Sequence, residues 1–464
     1  MSRPRVAVIG GGAAGTISAV HLLRQAGSAG VVVDLIDRDG DFGPGVPYRT
    51  SDPLHVLNVP ATRMGAISGE PDHFHRWLIE RGEDIGPEAF ATRSAFGTYL
   101  RELLDRTEEE SESSVLDRVT GDAVGISESA AGRLIVELAG GESIEADHVV
   151  LALGHLPGRD PVAPSPGLLE SGVHVTDPWV PGALDAARGD QEVLIVGTGL
   201  TMVDVTVSLG GDGGPSIRAI SRHGLIPRRH GDRMTRPEAF PLPDPANGLD
   251  ALLAATFARI EEVESAGGDW RDVLDSLRTP TPAYWRALEV EDKRRFVTSI
   301  NRFWDVHRFR IAPVVADRLE ALDAAGRLRV EAGSILRIEA EEDGARVTTV
   351  TAAGEAESFT VDRVINCTGA GNDITAEPPA LIAALFETGL GRPDDLGIGL
   401  DVGPAGNLVA ADGSEAPAIH VVGGLRKGVE WEAIGVTEIR DHAAAAAQGV
   451  AVRQAERAVF PPNP

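Results

Sequence analysis

The stretch that decides the fold is Val6-Ala7-Val8-Ile9-Gly10-Gly11-Gly12-Ala13-Ala14-Gly15, close to the N-terminus. A short apolar run, typical of a buried strand, leads directly into the glycines, and Thr16 to Gln25 favour a helix. At this spacing Gly10 makes a tight turn, Gly12 lets the backbone approach a pyrophosphate, and Gly15 allows close helix–strand packing. The N-terminus of the helix, at Ala13 and Ala14, then faces the phosphates. The stretch therefore predicts a Rossmann unit that binds a dinucleotide.

The next strand supports this prediction. The run from Val31 to Asp37 is apolar and β-branched and ends in a carboxylate. An acidic residue at this distance from the glycines accepts hydrogen bonds from the adenosine ribose. We therefore expect Asp37 to contact the ribose of the first dinucleotide.

A second glycine turn follows about 190 residues later. Gly197-Thr198-Gly199-Leu200-Thr201-Met202 comes directly after the apolar run from Val193 to Val196. Met202 replaces the third glycine, so we expect this helix to lie slightly farther from its strand. Leu200 and Thr201 would open that helix at the phosphates.

The strand after the second turn ends in a cation instead of an acid. Ser216 to Ser221 is followed by Arg222, and Arg228 and Arg229 come soon after. A guanidinium can bind a 2′-phosphate, which a carboxylate would repel. We expect NADPH instead of NADH at the second turn, with a solvated strand end as the alternative for Arg222. FAD usually occupies the N-terminal turn of chains with two such turns, so the first turn is assigned to FAD.

Composition narrows the function classes. The chain has 464 residues, which predicts two or three lobes, and its net charge of −27 argues against nucleic-acid and anionic-membrane partners. Glycines interrupt the apolar N-terminus within ten residues, so we expect no signal peptide. A single cysteine, Cys367, fits a reducing cytoplasm and removes the redox pair that flavin disulfide reductases need. We expect Cys367 to be a buried structural thiol.

The order of elements repeats. Each glycine turn is followed by alternating meander strands, such as Arg133–Leu138 in the first half and Arg327–Val330 and Ala345–Val350 in the second. Each half closes on a strand that ends in glycine, at Gly154 and Gly369. The predicted fold class is α/β, with two Rossmann-type dinucleotide-binding domains for FAD and NADPH, small β-meanders and a helical insertion. We place the FAD domain at 1–159 and 371–464, and the NADPH domain at 160–370.

Two further segments carry predictions. The strand Ile419–Val422 leads to Gly424 and to an alanine-rich helix expected from Trp431 to Gln448, whose N-terminus would face the flavin pyrimidine ring. An ordinary packing helix is the alternative. The insertion, about 240–312, has Phe296, Ile300, Phe303 and His307 on one helical stripe and Arg294, Asn301 and Arg308 on another. Residues 286–310 hold seven Lys or Arg against four Asp or Glu. This excess favours a cap that brings cations to an anionic substrate or to NADPH phosphates, or else a solvated basic face.

Several motifs carry a family resemblance that spans essentially the whole chain. They are Gly43–Tyr48, His55–Met64, Ile220–Pro227 with His230, Trp304–Arg310, Gly397–Asp401 and Gly428–Glu432. With these motifs the chain resembles a family of FAD/NAD(P)-binding flavoprotein monooxygenases that includes FAD-dependent urate hydroxylases and aspartate N-oxygenases that form nitrosuccinate. The resemblance implies oxygen activation on a small, polar, nitrogen-containing substrate, through N-hydroxylation of an amino acid or hydroxylation of a urate-like ring.

The implied mechanism uses FAD reduced by NADPH and a flavin C4a-(hydro)peroxide, so the cofactor carries the chemistry and the protein positions it. Within this scheme Asn58 is a candidate to hydrogen-bond the flavin ring edge, and Arg63 a candidate for a flavin phosphate. Arg308 or Arg310 would hold a substrate carboxylate or oxyanion, and Trp431 and Glu432 would contact the cofactor. Surface or packing roles are the alternatives for these residues.

Two other functions fit the same glycine turns. One is an NAD(P)H:acceptor flavin reductase that inserts no oxygen, and the other is a flavin-dependent redox sensor whose insertion binds a protein. A monooxygenase would take dioxygen and a small molecule as its substrates. The sequence does not identify that small molecule or the oligomeric state.

Overall fold

Two parallel sheets organise the molecule. The structure is a computed structural model that describes residues 3–156, 158–231, 240–371 and 373–459. The strands are β1 Arg5–Ile9, β2 Val32–Asp37, β3 Val115–Thr120, β4 Ala123–Glu128, β5 Leu134–Leu138, β6 Ser143–Ala146, β7 His148–Leu151, β8 His174–Val175, β9 Glu192–Val196, β10 Ser216–Ser221, β11 Leu328–Glu341, β12 Gly344–Thr351, β13 Ala356–Val361, β14 Arg363–Asn366, β15 Asn407–Val409 and β16 Glu415–Val421.

Helices cover the sheets and form the insertion. They are α1 Ala13–Gln25, α2 Gly45–Tyr48, α3 His73–Glu80, α4 Arg93–Glu110, α5 Pro166–Glu170, α6 Leu200–Leu209, α7 Gly248–Ser265, α8 Trp270–Ser276, α9 Thr281–Ala287, α10 Val290–Arg295, α11 Asn301–Arg308, α12 Pro313–Ala324, α13 Ala380–Glu387, α14 Lys427–Glu430 and α15 Val436–Val459. A π-helical segment, Phe296–Ile300, joins α10 to α11. In the described part of the chain, no helix has the length and apolarity to span a bilayer.

The sheet orders confirm the predicted α/β fold class. The first sheet runs β15-β16-β7-β1-β2-β3, and its strands from β16 to β3 are parallel. The second runs β13-β12-β11-β10-β9-β14-β8, parallel from β11 to β8, and a separate meander contains β4, β5 and β6. Both Rossmann units therefore have a glycine turn after a central strand.

The expected meander differs in one detail. The residues from Leu328 to Ala332 pair in parallel with β10, so this segment is the third parallel strand of the second sheet. The same strand then passes an irregularity between Ile335 and Arg337 and pairs antiparallel with β12. One long strand thus serves both layers, which period-two alternation cannot reveal, because a parallel and an antiparallel partner impose the same period.

The cores lie on the two faces of each sheet. Along β1, Val6 and Val8 pack in one cluster and Ala7 and Ile9 in another, because successive side chains of a strand point to opposite faces. The strand β9 repeats this, with Val193 and Ile195 on one face and Leu194 and Val196 on the other. Strands buried on both faces explain the continuous apolar runs that precede the two glycine turns.

The chain crosses between the two sheets twice, at one place. A Cβ atom built on Gly158 would lie 2.4 Å from the carbonyl oxygen of Gly369. The Gly371 amide donates to the carbonyl of Leu156 at 3.2 Å, and the Thr368 hydroxyl donates to that of Arg159 at 2.9 Å. The two crossing segments therefore run side by side, next to the boundaries proposed for the two domains. Residues 1–2, 157, 232–239, 372 and 460–464 of those ranges lie outside the described residues.

The insertion is helical, as expected, but the residues of each predicted stripe do not lie on one common face. Phe296 is 7% exposed and Phe303 is 49% exposed, so they do not share a buried face. The side chain of Arg308 is 10% exposed and that of Arg294 is 57% exposed. The π-helical segment Phe296–Ile300 lies between them, and its wider turn shifts the helical register that a seven-residue spacing assumes.

The insertion packs on the C-terminal segment of the chain. Trp285 and Phe296 lie with Trp431 in one aromatic cluster, in which the rings of Trp285 and Trp431 are 4.7 Å apart. The Trp285 indole donates to the carbonyl of Gly428 at 2.9 Å. Helices that follow the second glycine turn in sequence therefore lie against residues that close the first sheet's lobe.

Helix α1 depends on a glycine that admits no side chain. A Cβ atom built on Gly15 would lie 1.7 Å from the carbonyl oxygen of Gly10. We expect Gly15→Ala to lower the free energy of unfolding in urea by about 1–3 kcal/mol or more, because the helix must move off β1. Gly167→Ala in α5 is the control, since nothing lies within 4 Å of a Cβ built there. Equal stability of the two variants would contradict this packing.

A buried carboxylate predicts a pH dependence of stability. Asp394 is 6% exposed, and its Oδ2 atom has no hydrogen-bond partner among the described residues. Burial raises its pKa from 3.8 to about 6. Between these values the unfolded chain loses the proton and the folded chain keeps it, so the free energy of unfolding falls as pH rises.

We expect Asp394→Asn to remove this loss, and the variant to gain up to about 3 kcal/mol over the parent between pH 4 and pH 7. Urea unfolding at the two pH values measures the difference. A constant offset between the two proteins would show that Asp394 is not the responsible group.

Candidate functional site

The first glycine turn is built as a dinucleotide cradle requires. Gly10 has φ of +105°, which favours glycine, and a Cβ built on it would lie 2.3 Å from the carbonyl oxygen of Ala152. Gly12 caps α1 without a side-chain hydrogen bond, so the first-turn amides of the helix are left for a ligand. A Cβ on Gly12 would lie 3.2 Å from Cα of Gly45, so the backbone of the next loop lies close to the turn.

Asp37 lies against this turn. Its Oδ2 atom accepts a hydrogen bond from the Gly11 amide at 3.0 Å, and its Oδ1 atom accepts one from the Asp39 amide at 2.9 Å. These bonds fix the carboxylate at the end of β2, beside the glycines, where a ribose would lie. The contact with ribose stays a prediction.

The ends of β7 and β16 meet at the same edge of the sheet. A Cβ built on Gly424 would lie 3.2 Å from the carbonyl oxygen of Gly154 and 3.2 Å from Nδ1 of His155. One built on Gly423, which has φ of +87°, would lie 3.7 Å from Cβ of Ala14, at the start of α1. The sequence-predicted residues Gly10, Ala14, Gly154 and Gly424 are therefore brought together at the carboxyl ends of parallel strands, where α/β folds bind ligands.

These features fit FAD. The cradle has uncapped amides for a pyrophosphate and glycines that leave no room for side chains. It also has the fixed carboxylate of Asp37, at the sequence spacing from the glycines that is typical of a ribose-binding acid. When bound there, FAD would supply electron transfer and oxygen activation.

The second glycine turn repeats the first. Gly197 has φ of +102°, and a Cβ built on it would lie 2.5 Å from the carbonyl oxygen of Cys367. Gly199 begins α6 without a side-chain cap. Met202, which replaces the third glycine, is fully buried, and the larger helix–strand spacing stays a prediction. Gly369, with φ of +82°, follows the closing strand β14 as Gly154 follows β7.

The cations near the second turn differ in their partners. Arg222 is exposed at the end of β10, and no carboxylate of the described residues pairs with it. Arg229 pairs with Asp317, and Arg228 is exposed. Arg222 is therefore available to a nucleotide, and its choice of NADPH stays a prediction.

Asn58 and Arg63 lie in the loop before α3. The side-chain amide of Asn58 and the guanidinium of Arg63 form no hydrogen bond or ion pair with the described residues, and both residues are half-buried. The backbone carbonyl of Asn58 accepts a hydrogen bond from Nε2 of His230 at 2.9 Å. Burial and the charge of Arg310 lower the pKa of His230 to about 4, so a neutral imidazole holds this loop at neutral pH.

Arg308 and Arg310 already have partners inside the protein. Arg308 donates two hydrogen bonds to Glu432, at 3.0 and 2.9 Å, and Arg310 donates to both oxygens of Asp275 at 2.7 Å. Nε and Nη1 of Arg310 are buried without partners in the described part of the chain. If a substrate carboxylate bound either arginine, that arginine would then contact two carboxylates. Substrate binding by Arg308 or Arg310 stays a prediction.

The predicted C-terminal helix begins later than expected. Residues 431–435 are not helical, and α15 starts at Val436. Trp431 has φ of +62° and ψ of −60°, and the Glu432 amide donates to the carbonyl of Glu430 at 2.8 Å, which is a γ-turn. The turn is strained, and it directs Trp431 into the aromatic cluster and Glu432 to Arg308. A γ-turn carries no glycine or proline signal here, so the sequence could not reveal it.

A buried charge cluster adjoins this turn. Glu430 accepts hydrogen bonds from Arg286 of the insertion and from Arg426, and it pairs with His442 of α15 at 3.0 Å. Burial alone would raise the pKa of Glu430, but the bonds from His442 and Arg426 hold it at about 2. The insertion, α14 and α15 are thus tied together by one carboxylate.

Sequence reasoning missed Arg302. Its Nη2 atom donates to the carbonyl of Leu225 at 2.9 Å and to the hydroxyl of Thr198 at 3.1 Å, within the second glycine turn. The contact joins residues that are 104 positions apart, so the only sequence signal near Arg302 is the local excess of cations in the insertion.

Comparisons with known proteins agree with this geometry. Residues 7–156 match the family model described as FAD-NAD(P)-binding. The chain is 28% identical over 316 residues to an L-aspartate N-monooxygenase (nitrosuccinate-forming) from Streptomyces davaonensis, a match that covers 62% of this chain and 46% of that protein. The chain thus spans about half the length of this relative. An uncharacterized protein of Mycobacterium tuberculosis is 24% identical over 492 residues, with 90% and 89% of the two chains covered.

Solved structures share the fold. The ornithine hydroxylase of Pseudomonas aeruginosa superposes with a TM-score of 0.67 at 15% identity, over 98% of this chain and 100% of the other. A Kutzneria ornithine N-hydroxylase, solved with reduced FAD, NADP⁺ and L-ornithine, gives 0.61 at 16% identity, with 98% and 100% covered. Thioredoxin reductase of Lactococcus lactis gives 0.55 at 12% identity, again with 98% and 100% covered. Residues 7–156 thus match the FAD-NAD(P)-binding family model, and the chain is similar to the Streptomyces aspartate N-monooxygenase.

Proposed function

We propose that the protein is an FAD-dependent, NADPH-reduced monooxygenase that acts on a small, polar, nitrogen-containing substrate. The observation that carries the proposal is the pair of glycine turns, each with an uncapped helix at the carboxyl ends of a parallel sheet. Two dinucleotide sites in one chain serve electron transfer from a nicotinamide to a flavin. The division into an FAD domain of 1–159 and 371–464 and an NADPH domain of 160–370 is part of this proposal, as is a cytoplasmic location.

The cysteine content argues for oxygen as the electron acceptor. Folds of this kind occur both in N-hydroxylases and in thioredoxin reductases. A thiol reductase needs a pair of redox-active cysteines, and this chain has one cysteine, Cys367, which is buried. Burial also raises the pKa of its thiol, which keeps it protonated and unreactive. The electrons of a reduced flavin therefore have no dithiol to reach.

The substrate class rests on the relatives. The Streptomyces relative is named for aspartate, and the two hydroxylases of similar fold are named for ornithine. We therefore favour N-hydroxylation of an amino acid over hydroxylation of a urate-like ring. Arg308 and Arg310, which already pair with Glu432 and Asp275, would also bind the carboxylate of such a substrate.

The protein's own residues have binding and positioning roles in this scheme. The residues proposed for FAD are Gly10, Gly12, Ala13, Ala14, Gly15, Asp37, Arg63, Gly154, Gly424, Trp431 and Glu432. Those proposed for NADPH are Gly197, Gly199, Leu200, Thr201, Arg222 and Gly369. The free amide of Asn58 would orient the flavin ring edge, on a loop that the neutral His230 holds. The insertion, which packs on residues 428–432, would keep bulk water from the reaction.

Oxygen incorporation tests the proposal. The flavin-loaded protein is given NADPH, labelled dioxygen and, in turn, aspartate, ornithine, lysine and urate. We expect the label in a hydroxylated product of one amino acid, measured by mass spectrometry. NADPH oxidation with no labelled product from any compound, but with reduction of an added quinone, would favour the acceptor reductase instead.

The role of Arg308 gives a second test, once a substrate is known. Arg308→Ala is expected to raise the substrate KM by roughly 10- to 150-fold, since a charge-assisted hydrogen bond contributes about 1.5–3 kcal/mol. Reducing equivalents should then appear as hydrogen peroxide, while anaerobic flavin reduction by NADPH keeps its rate. Arg295→Gln is the control, because Arg295 lies in the same insertion and pairs with Asp250 instead. Equal effects of the two variants would show that the Arg308–Glu432 pair only fastens the insertion.

A further inference from the structure

The cations of the insertion are mostly neutralised within the protein. Between Arg286 and Arg310 there are seven Lys or Arg residues. Among the described residues, most of these form ion pairs with carboxylates: Arg286 with Glu430, Arg294 with Glu291, Arg295 with Asp250, Arg308 with Glu432 and Arg310 with Asp275. The basic excess of this segment is therefore not a general positive surface.

Arg302 differs from these arginines. No carboxylate of the described residues lies in an ion pair with it, although Asp305 is on the next turn of α11. The amide of Asn301, in the orientation that satisfies both groups, donates to the Asp305 oxygens at 3.2 and 3.0 Å. The acid closest in sequence thus accepts hydrogen bonds from Asn301, and its charge acts on Arg302 without a direct ion pair.

Lys293 is the other cation of this segment without a carboxylate partner in the described ranges. Its ammonium donates to the carbonyl of Arg286 at 3.4 Å, on the side of the insertion that faces Asp394 and Asp395. Within the described residues, it forms no hydrogen bond with the second glycine turn. Arg302 is therefore the residue to consider for a ligand at that turn.

The guanidinium of Arg302 lies over the second glycine of the turn. Nη2 is held by Thr198 and Leu225, and Nη1 lies 3.9 Å from where a Cβ of Gly199 would be. Apart from chain neighbours, no other described heavy atom comes within 4 Å of that position. The space between Gly199 and Nη1 is bounded by uncapped helix amides on one side and an arginine on the other.

A second cation lies in the neighbourhood without a carboxylate. Arg222 follows β10, and its charge acts against that of Arg302. On the same helix Phe303 contacts His223, with ring centroids 5.8 Å apart, so α11 reaches the loops after both β9 and β10. Two arginines that repel each other and form no ion pair with the described residues are stabilised by an anion placed between them.

We propose that Arg302 binds the pyrophosphate of NADPH across the second glycine turn, so that the insertion closes over the nucleotide as well as over the flavin lobe. The inference rests on the assignment of NADPH to that turn. In a glycine turn the backbone at the second glycine approaches the pyrophosphate, and Nη1 of Arg302 points to the same place. Arg222, at the end of the next strand, is left for the 2′-phosphate.

The two arginines then have separable signatures. NADP⁺ and NAD⁺ share the pyrophosphate, and only NADP⁺ carries the 2′-phosphate. Loss of Arg302 should weaken both nucleotides by the same factor, and loss of Arg222 should weaken NADP⁺ alone. A role of Arg302 that is limited to its hydrogen bond with the carbonyl of Leu225 would change neither affinity, because a Gln amide can still form that bond.

The experiment is titration calorimetry of the flavin-loaded protein with NADP⁺ and with NAD⁺, which needs no turnover. Arg302→Gln is the variant, because a Gln amide can still donate to Leu225 but carries no charge. We expect its dissociation constants for both nucleotides to rise by roughly 10- to 150-fold, as for a lost charge-assisted hydrogen bond. Arg295→Gln is the matched control, since Arg295 is in the same insertion and pairs with Asp250. It should bind like the parent protein.

The outcomes separate this inference from the proposed function. If the parent protein binds neither nucleotide, the assignment of the second turn to NADPH is wrong. If the parent binds NADP⁺ and Arg302→Gln binds it equally well, the assignment stands and the role of Arg302 is overturned. A loss for NADP⁺ but not for NAD⁺ would also overturn it, because the contact would then be with the 2′-phosphate. Retained flavin absorbance and an unchanged melting temperature establish that the variant is folded.

Discussion

Both halves of the molecule depend on the contact between a glycine and a backbone carbonyl. Gly10 approaches the carbonyl of Ala152, and Gly197 approaches that of Cys367, so closely that no side chain fits. The hydrogen bonds around them correspond as well, since Gly10 donates to Ile36 and Gly197 to Ile220. Each contact sets the turn from the central strand and, with it, the direction of the following helix. The uncapped helix ends and the closing strand ends are positioned from these two points.

The helical insertion illustrates how charge acts in an acidic protein. In a chain of net charge −27, most cations can find a carboxylate, and the arginines of the insertion do so with acids from distant segments. Several of these pairs, with the Trp285–Trp431 contact, fasten the insertion to the C-terminal segment of the chain. A cation left without such a partner is therefore informative, whereas a count of basic residues is not.

Local patterns were sufficient for the α/β class, the two glycine turns and the position of Asp37, because strand, turn and helix signals there lie within about thirty residues. They were insufficient for the double role of β11, for the π-helical segment before α11 and for the γ-turn at Trp431. Each of these is set by packing between distant segments. Arg308 and Arg310 show the same limit, since the sequence identified them as available cations and could not reveal Glu432 and Asp275 as their partners. Arg302 was overlooked because a seven-residue spacing puts Arg294, Asn301 and Arg308 together and leaves it out.

The side-by-side crossing of the chain at Gly158 and Gly369 has a consequence for how such proteins diversify. The segment between these residues leaves the first sheet and returns to it at one place, with the Gly371 amide bonded to the carbonyl of Leu156. Its two ends are therefore as close as those of a loop, although it contains a whole second sheet. Recombination at this point could exchange one such segment for another without disturbing the strands that flank it. A lineage could in this way replace the whole second Rossmann unit and keep the first one unchanged.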